Sequence, residues 1–155
     1  MRYKLTDKVY LFVYGTLLNS QSNFYRLGQN AKLICTGSIR AKMFTTGSFP
    51  YIMFSNSSKN IVHGELYQLP YNVIINNIDR LEGYKINSLS SLYFRKKTIV
   101  NSNLNVKFNA FVYIAGSFLH KTTHGNPIPS GNWKQYRMET TARNTRNIDV
   151  ISNAS

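Results

Sequence analysis

The sequence predicts an α+β fold, a small mixed β-barrel or strongly curved sheet flanked by short helices. Three observations carry this expectation. Runs of β-branched and aromatic residues that read as strands outnumber the stretches that read as helices. Only one segment, centred on Ile78, sets apolar residues at helical spacing. A chain of 155 residues with 43% hydrophobic side chains makes one domain with a core of its own.

The first strand is Val9 to Tyr14, aromatic and β-branched and bounded by Gly15. Ser22 to Leu27 reads as a short helix. Lys32 to Phe44 reads as one or two strands about Gly37, and the run from Thr45 to Pro50 as a turn-rich loop. Tyr51 to Phe54 is a short strand, followed by a polar turn over 56–60. Ile61 to Tyr67 alternates as a strand does, with Gly64 marking close backbone approach. Pro70 then opens a helix whose Ile74, Ile78 and Leu81 form one apolar face, and Gly83 sits where a helix-ending glycine belongs. Tyr93 to Val100 and Val106 to Ile114 are two further strands around a polar turn. Beyond Gly116 the chain turns polar and irregular, with an ordered loop from Ile128 to Trp133 anchored by the tryptophan. Residues 1–137 are read as a single domain. Residues 138–155 are read as a polar tail, partly disordered for want of apolar surface to bury.

Composition narrows the class. No run of about twenty apolar residues exists, so no membrane span is expected. The apolar block Val9 to Leu18 is diluted by Tyr10, Tyr14, Gly15 and Thr16 and lacks a small-residue cleavage pattern, so it reads as a strand and not a signal peptide. The single cysteine, Cys35, leaves no internal disulfide and fits a reducing, cytoplasmic setting. The net charge of +13 would draw nucleic acid or an acidic partner. However, the basic residues are scattered, and only Lys96 and Lys97 adjoin, so a nucleic-acid role stands as a rival reading.

Few residues can act as a base. Asp7, Glu139 and Asp149 lie near the ends. His120 and His124 have no cysteine or carboxylate at ligand spacing, so no metal site is expected. His63 and Glu65 share a strand face, read as an outward polar one. Asp79 and Glu82 remain, three apart on the helix and able to approach one face. Glu82 occupies the last turn, where the helix dipole and apolar neighbours such as Leu81 and Tyr84 push a carboxyl pKa upward, as a general base near neutrality requires. A second element is Tyr14-Gly15-Thr16-Leu17-Leu18, where glycine lets several backbone N–H groups converge on a carboxylate or an oxyanion.

In combination these segments resemble a known family. Phe12 to Leu18 is similar to the signature loop of the γ-glutamylcyclotransferase-like (AIG2-like) proteins. Gly47-Ser-Phe-Pro50 resembles their Gly-x-x-Pro turn, and Gly64-Glu-Leu-Tyr67 their Gly-x-Leu-Tyr strand. Asp79-Arg-Leu-Glu-Gly-Tyr84 resembles the element that carries the catalytic glutamate. Tyr93-Phe-Arg95, Ala110-Phe-Val-Tyr113 and Ile128 to Trp133 follow in the family's order, so the resemblance runs from residue 9 to about 133. The Tyr-Gly-Thr-Leu form looks closest to the γ-glutamylamine cyclotransferase branch.

The resemblance implies the γ-glutamylcyclotransferase-like fold and an enzyme that frees 5-oxoproline and an amine from a γ-glutamyl compound without a cofactor. It implies Glu82 as proton acceptor, and Tyr14, Gly15, Thr16 and Leu17 as the substrate-binding loop. Tyr113 is expected to line the pocket, with Asp79 and Arg95 in structural roles. The implied partner is a small γ-glutamyl substrate whose leaving amine is open, and the oligomeric state is open too. The rivals are a catalytically silent ligand-binding module of this fold and a basic nucleic-acid-associated protein.

Overall fold

The computed structural model describes residues 2–153. Its strands are β1 (Lys8–Val13), β2 (Lys32–Thr45), β3 (Pro50–Phe54), β4 (Ile61–Pro70), β5 (Tyr93–Ser102), β6 (Lys107–Ala115) and β7 (Asn126–Ile128). Five close into a barrel in the order β2-β4-β1-β6-β5, with β5 returning to β2. Every pairing is antiparallel except β1 with β6, which is parallel, so the barrel is mixed as the sequence predicts. β3 and β7 flank the far end of β2.

Strand β1 is central, which explains its near-continuous apolar run. It lies between β4 and β6, and Leu11, Phe12 and Val13 are all buried. The segment read as one or two strands is a single 14-residue strand, β2, with an irregularity between Leu33 and Cys35. Its length lets it pair with four neighbours in turn.

Closure rests on two glycines that face each other. Gly37 of β2 pairs with Gly64 of β4, and Gly37 also pairs with Ser102 of β5 at the seam. A Cβ on Gly37 would lie 2.8 Å from Val100 and 2.9 Å from the Asn101 carbonyl oxygen. A Cβ on Gly64 would lie 2.2 Å from the Val13 carbonyl oxygen and 2.7 Å from the Phe12 ring. The strands can bend into contact here only because neither residue has a side chain.

Helical structure is sparse around this barrel. A 3-10 turn spans Phe24–Leu27. A continuous helical segment, α1, covers 71–81, with Ile74 and Ile78 fully buried as their spacing predicts. Two elements fall where the sequence reads as irregular: α2 (Ser117–Thr123) and strand β7. One buried residue, Leu119, anchors α2, too little to leave a period in the sequence.

Of the tail expected over 138–155, residues 138–153 are helical, and 154 and 155 lie outside the described residues. Helix α3 runs over Trp133–Asn153, so the expected boundary falls inside it. Asn132 caps it, its side-chain oxygen accepting from the Gln135 N–H at 3.1 Å. Trp133 is buried and stacks on Tyr136, and beyond Thr140 every described residue is exposed. No helix among the described residues is long and apolar enough to cross a membrane.

The Gly64→Ala variant should lose about 3 kcal/mol of stability, because its methyl group has to displace main chain. Urea denaturation followed by circular dichroism measures this, and a variant as stable as the parent would show that the seam can relax.

Candidate active site

The chain leaves β1 at Val13 and turns through Tyr14 to Asn23. Three backbone hydrogen bonds shape the turn: the Leu18 N–H donates to the Gly15 carbonyl at 3.0 Å, the Gln21 N–H to the Leu18 carbonyl at 2.9 Å, and the Asn23 N–H to the Thr16 carbonyl at 2.9 Å. The Asn23 amide also donates to the Thr16 hydroxyl at 3.0 Å. Among the described residues, the N–H groups of Gly15, Thr16 and Leu17 donate to no protein acceptor. Gly15 lies against Pro50, where a Cβ would come within 2.6 Å of the proline ring, so this turn and the loop before β3 interlock.

Glu65 braces the same turn from beneath. The sequence places it on an outward polar face, but the residue is buried, and its carboxylate accepts from the Asn19 N–H at 2.7 Å. Lys134 lies 3.8 Å from its other oxygen. A buried carboxylate demands such partners, and the turn supplies one. Its strand-mate His63 is exposed, as expected.

Glu82 ends helix α1. The middle of that helix, Ile74–Ile78, is π-helical, and the Asp79 N–H reaches back five residues to the Ile74 carbonyl. The wide turn sets consecutive residues Ile78 and Asp79 both inside the protein. The helix then stops in a Schellman arrangement: the Tyr84 N–H bonds the Asp79 carbonyl at 2.9 Å and the Gly83 N–H the Arg80 carbonyl at 3.2 Å. Gly83 takes the left-handed conformation this stop requires, φ +63°. Glu82 is thereby fixed as the C-terminal cap of the helix, with its side chain lining a cleft.

That cleft, about 350 Å³, is where the expected site residues meet. Tyr14, Gly15, Thr16, Leu17, Glu82 and Tyr113 all line it. The sequence does not single out several others that do: Asn23, Phe49, Pro50, Leu92 and Tyr93. Tyr93 stands within the Tyr-Phe-Arg strand motif, which is the one signal that could have found it.

The Glu82 residue is partly open to the cleft while its carboxyl group is deeply enclosed by protein. Burial pushes its pKa up from 4.5 to about 7. The upward direction matches the sequence reading, and burial, one of the two causes read there, drives it. No side chain or backbone group among the described residues hydrogen-bonds to it.

Three phenols surround it. The Tyr14 hydroxyl donates to the Tyr113 carbonyl at 2.7 Å, the Tyr113 hydroxyl to Asp79 at 2.6 Å, and the Tyr93 hydroxyl to the Pro50 carbonyl at 2.9 Å. Burial first, then nearby ionisable neighbours that include Glu82, holds all three pKa values far above the ordinary tyrosine range, so they stay protonated. Asp79 is buried beside the Arg95 guanidinium at 3.6 Å, and Arg95 packs over the rings of Tyr71, Tyr84 and Phe111. Burial raises the Asp79 pKa, although Tyr113 and Arg95 pull against it. Asp79 and Arg95 are thus internal fastenings, and neither lines the cleft.

The sequence model for the family described as gamma-glutamyl cyclotransferase, AIG2-like, matches residues 11–135. YkqA of Bacillus subtilis, provisionally named a gamma-glutamylcyclotransferase, is 25% identical over 136 residues. The match covers 86% of this chain but only 44% of YkqA, so the chain spans less than half of that relative. MJ1514 of Methanocaldococcus jannaschii, with the same provisional name, is 28% identical over 129 residues, covering 83% of this chain and 98% of its own. The crystal structure of YkqA superposes with a TM-score of 0.69 at 21% identity, over 88% of this chain and 43% of YkqA. That of a mouse AIG2-like protein gives 0.60 at 20% identity, over 71% of this chain and 78% of its own. These superpositions show a shared fold, and the family match extends over the barrel and every cleft residue named above. The chain belongs to the gamma-glutamyl cyclotransferase, AIG2-like family.

Proposed function

We propose that this protein cyclises γ-glutamyl compounds, releasing 5-oxoproline and a free amine, with Glu82 as the general base. The observation that carries the reading is a buried carboxylate on the same cleft as the backbone N–H groups of three residues, none of these groups having a hydrogen-bond partner among the described residues. The first is a proton acceptor poised near neutrality. The second is a donor set for an anion.

In this mechanism the substrate's α-ammonium gives a proton to Glu82. The freed amine attacks the γ-carbonyl carbon, forming the new C–N bond of a five-membered ring. Negative charge develops on the carbonyl oxygen, where the N–H groups of Gly15, Thr16 and Leu17 can receive it. Collapse breaks the original amide C–N bond as the proton held by Glu82 passes to the departing nitrogen, and the ring nitrogen's second proton then goes through Glu82 to the released amine, which leaves as an ammonium. Both reacting groups belong to one molecule, so the protein's contribution is to hold the chain folded and carry protons from the attacking to the departing nitrogen. The tyrosines, kept neutral and with their O–H groups donated within the protein, offer ring surface without competing for those protons.

Two outcomes are expected. Glu82→Gln should lower 5-oxoproline release, followed by mass spectrometry over γ-glutamyl amines and dipeptides, by roughly 10²- to 10⁴-fold while the protein stays folded. A variant as active as the parent would remove Glu82 from the chemistry. In the parent, kcat/KM should fall about tenfold per pH unit below a limb near pH 7, where Glu82 becomes protonated.

Stability should answer to the same group with the opposite benefit. Between pH 4.5 and 7 the folded chain keeps a proton on Glu82 that the unfolded chain has released, so this residue's contribution to stability drops as pH rises through that window. Glu82→Gln should therefore be more stable than the parent at pH 8, by about 2 kcal/mol after allowing for partial solvation from the cleft, and lose that advantage toward pH 4.5. Denaturant titrations at the two pH values measure the difference.

A further inference from the structure

We propose, resting on the cyclisation assigned above, that the cleft selects substrates whose leaving amine is uncharged and apolar, and that Phe49 and Leu92 determine this preference. Among the described residues, Glu82 is the only Asp, Glu, Lys, Arg or His side chain lining the cleft. It is committed to the α-ammonium proton and has no second carboxylate beside it. A leaving group with its own ammonium, such as a diamine or a lysine side chain, would shed water in the cleft and find no counter-charge there. The chain's net charge of +13 opposes the approach of such a cation as well.

The mouth is built to receive apolar surface instead. Phe49 and Leu92 line the cleft yet are 36% and 45% exposed. Their positions are fixed by the main chain and not by burial. The buried Thr45 hydroxyl donates to the Phe49 carbonyl at 2.9 Å and accepts from the Gly47 N–H at 2.9 Å, which pins the loop under the ring. The Phe49 ring leans on Tyr93, with centroids 6.5 Å apart. Leu92 is held from both sides: its N–H donates to the Gly83 carbonyl at 3.3 Å and its carbonyl accepts from the Gly116 N–H at 2.8 Å. Gly83 follows Glu82 directly, so the clamp on Leu92 also ties this side chain to the base. Two apolar side chains held out toward water at the entrance leave area for a ligand to cover, and such contacts discriminate by roughly 10- to 200-fold for a few methylenes.

The test compares γ-glutamyl n-butylamide with its 4-aminobutylamide counterpart, the same chain ending in an ammonium, and uses γ-glutamyl methylamide as reference. The butylamide should exceed the aminobutylamide in kcat/KM by about tenfold or more. In Phe49→Ala and Leu92→Ala the ratio of butylamide to methylamide should fall by about fivefold or more. Leu92→Glu, which adds a counter-charge at the mouth, should shift the preference toward the aminobutylamide. Equal or better turnover of the cationic amide by the parent, or variants that slow all three substrates alike, would overturn the proposal. If none of the three yields 5-oxoproline, the assigned reaction fails. Calorimetric binding of the same pair to the parent then decides the selectivity, tighter binding of the butylamide supporting it and equal or weaker binding overturning it.

Discussion

Arg95, Asp79, Tyr113 and Tyr14 form a connected run of contacts that joins β5, the end of α1, β6 and the turn after β1. Arg95 is pressed among three aromatic rings and faces the Asp79 carboxylate. Asp79 holds the Tyr113 hydroxyl, and the Tyr113 main chain holds the Tyr14 hydroxyl. Tyr14 and Tyr113 of this run share the cleft with Glu82, and among the described residues none of the four hydrogen-bonds to its carboxyl group. Charge is therefore matched where the fold needs fastening and left unmatched at the one carboxyl the cleft presents.

Such an arrangement sets stability against reactivity. An enclosed carboxylate without donors is disfavoured in its charged form, and the surrounding structure has to offset that cost. The fastenings that do so are neutral or internally paired: protonated phenols on main-chain carbonyls, a Schellman turn, and an aspartate beside an arginine. None places a positive charge beside Glu82, which would have drawn its pKa down and weakened it as a base.

Much of this was legible in the sequence, and the reasons differ from residue to residue. Val9 to Tyr14 reads as a strand because it is buried on both faces. Glu82 reads as a helix end because Gly83 follows it at the position of a left-handed stop. The common cleft of Tyr14 to Leu17, Glu82 and Tyr113 follows from the family resemblance, which the match over residues 11–135 bears out. Glu65 was not legible, because its partner is a backbone N–H on a turn 46 residues away, and a backbone group leaves no mark in composition. Tyr93 and Pro50, 43 residues apart, pose the same problem. The π-helical turn before Asp79 leaves the Ile74 and Ile78 spacing almost as an α-helix would, so periodicity cannot reveal it. Helix α3 was missed because it has almost no apolar face to detect. Asn132 before Trp133 was its one sequence signal.

The place of β1 in the barrel has a consequence for how the chain is made. The strand is synthesised before both its neighbours, pairing with β4 on one edge and, in parallel, with β6 on the other. Its partner on the second edge begins only at Lys107. Until that segment has emerged from the ribosome, one of the most apolar strands in the protein has an open edge, the kind of surface on which neighbouring chains pair and aggregate. The cleft shares this dependence, since Tyr14 and Tyr113 come from opposite ends of the same wait. A nascent chain has neither a closed barrel nor a site until β6 has been made, and the two then form together.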